Sequence, residues 1–129
     1  MTLPYWSMIR GDTTRFEFTV TDDGEPIDLT LVELTWTAKR SWSDADDAES
    51  NIIKTLDDGI TVTSAEDGTI LIQMDAVDTE DIESQWPTWW SASAFTYVWD
   101  LVVLDDYEQR RTRGRGMLKV YRNVTAPAV

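Results

Sequence analysis

Four arginines fall within six residues near the end of the sequence: Arg110, Arg111, Arg113 and Arg115. A guanidinium is a fixed fork of donors that matches a carboxylate or phosphate with two parallel hydrogen bonds. Arg111, Arg113 and Arg115 alternate with Thr112, Gly114 and Gly116, so a strand there is expected to carry three guanidinium groups on one face. The glycines predict a bulge, or another backbone close by. Upstream, Trp86, Trp89 and Trp90 crowd around Pro87 in a segment that reads as an irregular loop. Tryptophan and arginine together are typical of protein contact surfaces. These seven residues form the candidate protein interface. Each half has an alternative use: the loop can cap one end of the core or stack on a sugar, and the arginines can pair with acids of the same molecule.

Other chemistry is restricted by what is missing. The chain has no histidine and no cysteine. It therefore lacks the usual general base, the commonest transition-metal ligand and any thiolate nucleophile. Carboxylate-only glycoside cleavage stays open in principle, but a 129-residue chain is a small scaffold for a sugar cleft with two placed acids. No catalytic residue, metal site or cofactor site is assigned. Asp44, Asp46 and Asp47, like Asp22 and Asp23, read as solvated loops, because neither group follows a calcium-loop spacing. Arg10-Gly11-Asp12 reads as a turn entering a strand, with Gly11 permitting the bend. Asn123-Val124-Thr125 fits a glycan acceptor pattern, which carries little weight without a secretory leader, and Met1–Trp6 does not read as one.

Charge narrows the partners. The formal net charge is −13, which disfavours nucleic acid, since phosphate binding needs an electropositive face. Residues 1–109 hold all 24 acids and five basic residues, whereas residues 110–129 hold six basic residues and no acid. An acidic body with a basic final stretch can attract an acidic neighbour or a second copy head to tail. No apolar run approaches the ~20 residues that cross a bilayer, so no membrane partner is expected and the chain is expected to be made in a cytoplasm.

The elements that would position these residues show a period of two. Phe16, Phe18 and Val20 alternate with polar residues, as do Leu34, Trp36 and Ala38. So do Ile60 and Val62, and Leu118 and Val120; Ile70, Ile72 and Met74 share a face, as do Tyr97, Trp99, Leu101 and Val103. Each run gives one apolar strand face, with Trp36 and Trp99 on the core side. Asp23-Gly24, Asp58-Gly59 and Asp67-Gly68 supply turn chemistry. About seven short strands predict a single all-β domain over residues 1–129, an immunoglobulin-like antiparallel β-sandwich. A small β-barrel is the alternative. Ser43–Ser50 and Asp75–Gln85 are candidates for short helical turns.

The order of these elements resembles small β-sandwich virion proteins of tailed bacteriophages, and is similar to the N-terminal domain of the upper baseplate protein family. The residues concerned are Ile9–Thr13 before Phe16-Glu17-Phe18, then Asp23–Thr30, Ile52–Thr55, Gly59–Val62 and Gly68–Ile72. Tyr97–Leu101, Thr112, Gly114 or Gly116, Leu118-Lys119-Val120 and Val124-Thr125 close the series. The segment between Thr79 and Tyr97 departs from this pattern as an insertion. The resemblance implies a non-enzymatic component of tail, baseplate or head surface, assembled in the host cytoplasm. Its partners would be other virion proteins and copies of itself. A carbohydrate-binding module with Trp86, Trp89 and Trp90 as platform is the competing reading.

Overall fold

Alternation becomes strand wherever one face can be buried. The computed structural model describes residues 5–22, 24–42, 51–80, 94–105 and 109–121. Its strands are β1 (Tyr5–Ile9), β2 (Thr14–Thr19), β3 (Thr21–Asp22), β4 (Glu25–Pro26), β5 (Glu33–Lys39), β6 (Ile52–Leu56), β7 (Gly59–Ser64), β8 (Thr69–Met74), β9 (Ala94–Leu104) and β10 (Arg110–Tyr121). One short helix, α1 (Ala76–Glu80), follows β8. The chain is all-β, as the sequence indicates.

Eight strands form one sheet in the order β1-β10-β9-β5-β6-β7-β8-β2, while β3 and β4 make a separate hairpin. The sheet curls until it is nearly barrel-shaped. It is continuous where the sandwich expectation has two separate sheets, and so lies between that expectation and its barrel alternative. Neighbours are antiparallel except β1 with β10 and β6 with β7. The first exception joins the first and last strands of the chain. In the second, only Thr55 and Leu56 pair, with Gly59 and Ile60.

The inner face carries the core. Trp36 and Trp99 are fully buried, with Leu34, Ile60, Ile70, Ile72, Met74 and Leu101 around them. Trp6 of β1 lies at the centre of an aromatic array. Its ring is parallel to Phe16 of β2 at 4.7 Å and stacks on Trp99 of β9 at 4.4 Å. Phe18 meets Trp99 edge-on at 5.8 Å. Since β1 and β2 are the two edges of the sheet, the Trp6–Phe16 stack is what draws the edges together. Aromatic pairs of this geometry contribute roughly 0.5–1.5 kcal/mol beyond their buried area.

Gly114 makes room for the array. A Cβ at this position would lie 2.7 Å from the Phe18 ring and 3.5 Å from Trp99. Gly68, in the β7–β8 turn, has φ +70° and is pressed between the Val20 and Ile27 carbonyl oxygens.

A polar clasp fastens α1 to the sheet. Asp75 precedes the helix, and its backbone N–H donates to Asp78 Oδ2 at 2.7 Å, which is half of a capping box. The same oxygen accepts from Lys54 Nζ at 2.7 Å. Lys54 occupies an inward position of β6 opposite the buried Trp36 of β5, and its side chain is only 8% exposed. Its stem lies over Gly59, where a Cβ would overlap it. The buried Thr79 hydroxyl accepts from the Gly11 N–H at 2.8 Å.

Two stability outcomes are expected. Trp99→Ala removes the ring shared by three aromatic contacts and should cost about 3–5 kcal/mol in denaturant unfolding. Asp78→Ala strands a buried ammonium and should cost about 3 kcal/mol or more. Adding Lys54→Met to Asp78→Ala should recover much of that loss in the same assay.

Candidate functional site

The first half of β10 is where the sequence concentrates positive charge, and its geometry is set by a bulge. The pairing with β9 runs Arg110 to Leu104, Arg111 to Val103 and Thr112 to Val102, then shifts so that Gly114 faces Leu101 and Arg115 faces Asp100. A bulge inserts one residue and inverts the inside–outside alternation beyond it. Before the bulge, Arg111 lies on the side of the core residue Val103; after it, Arg115 lies on the outer side with Asp100. The expectation of three arginines on one face is therefore corrected. The expectation that the glycines mark a bulge holds, while the group packed against Gly114 is the Phe18 ring and not another backbone.

Each guanidinium has its own surroundings. Arg113, at the bulge, places Nη1 3.1 Å from Asp22 Oδ1 on β3. Arg111 is exposed, with Nη2 3.4 Å from Gln109 Oε1. These two line a depression of about 100 Å³ whose apolar wall is Ile27, Val32 and Val103. Arg110 is exposed on the outer side, at the rim of a broader depression of about 250 Å³ with Thr35, Thr37, Ile53, Asp100 and Val102. Arg115 lays its guanidinium 4.3 Å from the ring centroid of Trp42, a cation–π contact. Among the described residues, Arg113 alone of the four has a carboxylate partner. Among the described residues, pairing with acids of the same molecule thus accounts for one of these arginines.

Trp86, Trp89 and Trp90 lie outside the described residues, as do Asp44, Asp46, Asp47 and Asn123–Thr125. Ala94, read as the end of the tryptophan loop, opens β9. Arg10-Gly11-Asp12 is a turn: Gly11 has φ +81° and the Asp12 N–H donates to Ile9 O at 3.1 Å. Asp22 is engaged by Arg113. Among the described residues, no three carboxylates come together as a metal cluster, and no helix is long and apolar enough to cross a membrane.

Two surface features escape the sequence pattern. Trp42 is half exposed under Arg115, and it belongs to no alternating run. Tyr5, Ile9, Met117 and Tyr121 are exposed apolar residues on the outer side of β1 and β10. The outward phase of β10 is legible from Leu118 and Val120. That of β1 is not, because four of its five residues are apolar.

No family model and no curated protein matches the chain. Among solved structures it is similar to the N-terminal domain of phage TP901-1 ORF48, with a TM-score of 0.45 and 6% identity, over 94% of this chain and 84% of that one.

Modification of arginine by a dicarbonyl reagent, mapped by mass spectrometry, checks this geometry. Arg110 and Arg111 should react well before Arg113, which is half-buried and paired. Asp22→Asn should narrow the difference.

Proposed function

We propose that this chain is a structural component of a tailed-bacteriophage particle, in the tail, baseplate or head surface, which works by protein–protein assembly and not by catalysis. The order of short motifs along the chain supports the phage setting. One observation carries the assembly reading. On a molecule with 24 acidic residues, Arg110, Arg111 and Arg115 have no carboxylate partner among the described residues. The strand that bears them is flanked by two depressions, one with Ile27, Val32 and Val103 beside Asp28 and Asp105, the other mostly polar with Ile53 and Val102 as its apolar part. A neighbouring subunit that brings acids and an apolar side chain would satisfy both. Complementary charge would set the encounter rate and register, and buried apolar and aromatic groups would supply more of the affinity. Trp86, Trp89 and Trp90 are assigned to the second role from sequence. The partners are other virion proteins and copies of this chain. The protein is made in the host cytoplasm and ends in the particle.

Sedimentation of the purified chain with phage particles or their lysate tests the reading. Replacing Arg110, Arg111 and Arg115 with Ser should weaken co-sedimentation mainly below about 0.1 M salt, where the screening length exceeds about 10 Å. Replacing Trp89 and Trp90 with Ser should weaken it at every salt concentration. Particles whose protein inventory lacks the chain would refute the phage role. Loss of glycan binding with assembly intact would install the carbohydrate module in its place.

A further inference from the structure

Two features of opposite charge adjoin in β6. The first is the depression of about 250 Å³ bordered by Arg110. Ile53 of β6, which is 51% exposed, and Val102 of β9 are its apolar part, and Lys39 and Arg110 are its cations. Asp100 is the one acid of the lining and stands opposite Arg115 in the β9–β10 ladder. Glu33 lies outside the lining, two strands from Arg110 in the same cross-strand row. The second feature is the turn that leaves β6. Leu56 is 38% exposed, and Asp57 and Asp58 are both exposed. Thr55 and Asp58 exchange backbone hydrogen bonds at 3.0 and 2.9 Å, and the Asp57 N–H donates to Ile60 O at 3.0 Å. These bonds hold Asp57 at φ +65°, a left-handed conformation that aspartate tolerates better than most residues. Neither carboxylate has a cation partner among the described residues.

We propose that two copies of this chain exchange these turns about a two-fold axis, the Leu56–Asp58 turn of each seated in the depression of the other. Charge complementarity argues for a second copy as the occupant. The depression offers two cations beside an apolar part, and the turn offers two carboxylates beside an aliphatic side chain. The other described acidic turns are engaged within the molecule: Asp22 pairs with Arg113, and Asp67 accepts from the Ser64 hydroxyl. In the pair, Asp57 and Asp58 meet Arg110 and Lys39, and Leu56 covers Ile53 and Val102. The turn begins four residues beyond Ile53, about 13 Å along the strand. Depression and turn therefore form one patch, and a single two-fold axis engages both contacts at once. A closed two-fold contact requires this kind of self-complementarity. The turn is already fixed by its backbone hydrogen bonds, so little ordering is lost on association. Each body carries a net charge of −13. At about 0.15 M salt the screening length is about 8 Å, which damps repulsion between the bodies far more than attraction between charges in contact.

This pairing deepens the assembly reading by naming a subunit that satisfies Arg110, and rests on it for the setting; purified protein tests it without any particle. In sedimentation equilibrium at about 0.15 M salt, the unmodified chain should dimerise with concentration. Arg110→Glu puts an acid in the depression. Asp57→Asn combined with Asp58→Lys puts a cation on the turn, and asparagine keeps the tolerance for the left-handed conformation. Each of these two variants alone should dimerise at least about tenfold more weakly than the parent, with circular dichroism and thermal midpoint close to it. An equimolar mixture of the two should return to within about threefold of the parent, because in the mixed pair every depression meets a turn of opposite charge. Arg15→Glu makes the same charge change on β2, away from the patch, and should leave dimerisation as it is. A chain that stays monomeric would overturn the pairing and leave the co-sedimentation test of the particle reading as it stands. A dimer indifferent to both variants would also overturn it, as would a mixture that does not recover or an Arg15→Glu chain weakened as much as Arg110→Glu.

Discussion

The closure of this sheet depends on the stacking of Trp6 against Phe16 and Trp99. An eight-stranded sheet with one apolar face has to bury that face, and without a second layer it can only curl on itself. Trp6 fills the seam between the two edges and reaches across to the middle of the sheet. Two consequences follow for the sequence. Gly114 has to lack a Cβ, because Phe18 and Trp99 occupy that space. The indole N–H groups of Trp36 and Trp99 are buried without a hydrogen-bond partner among the described residues, a cost of about 1–3 kcal/mol each. Ring packing and the burial of two large side chains offset it.

Closure also determines where charge can go. The requirement for glycine at 114 coincides with the bulge after Thr112, and the bulge distributes the arginines. Had the alternation continued, Arg111, Arg113 and Arg115 would share a face. The extra residue instead sends Arg113 to Asp22 and Arg115 to Trp42. The packing of the core at Gly114 and the display of cations at the surface are thus two results of one irregularity in β10. At the other side of the sheet, Lys54 shows the opposite treatment of charge: the cation is taken inside and held by the N-terminal carboxylate of α1. That clasp, with the Gly11–Thr79 hydrogen bond, ties β6, the β1–β2 turn and α1 into one unit.

Much of the fold was legible in the sequence because a period of two has few other solutions. Phe16 and Phe18, Trp36, Ile70 and Ile72, and Tyr97 through Val103 gave both the strands and their inward faces. Gly68 and Gly24 gave the turns, since a residue at positive φ is needed there and glycine supplies it. The same logic hid β1. Tyr5-Trp6-Ser7-Met8-Ile9 is apolar at four positions of five, because its inner side meets the core while its outer side keeps an exposed apolar row, so no alternation marks it. Trp6, the centre of the aromatic array, went unassigned for that reason.

The sequence by itself determined the class of fold, the turns, the inward phase of the strands and the asymmetry of charge along the chain. Each of these depends on a residue and its near neighbours. The tertiary structure decided which strands are edges, that the sheet is continuous and nearly closed, and which arginines find a carboxylate. These depend on contacts between residues far apart in the chain: Trp6 with Trp99, Phe18 with Gly114, Arg113 with Asp22. Local periodicity sets a strand's face but carries no information about its neighbour. A single inserted residue in one ladder is enough to move every side chain beyond it to the other face.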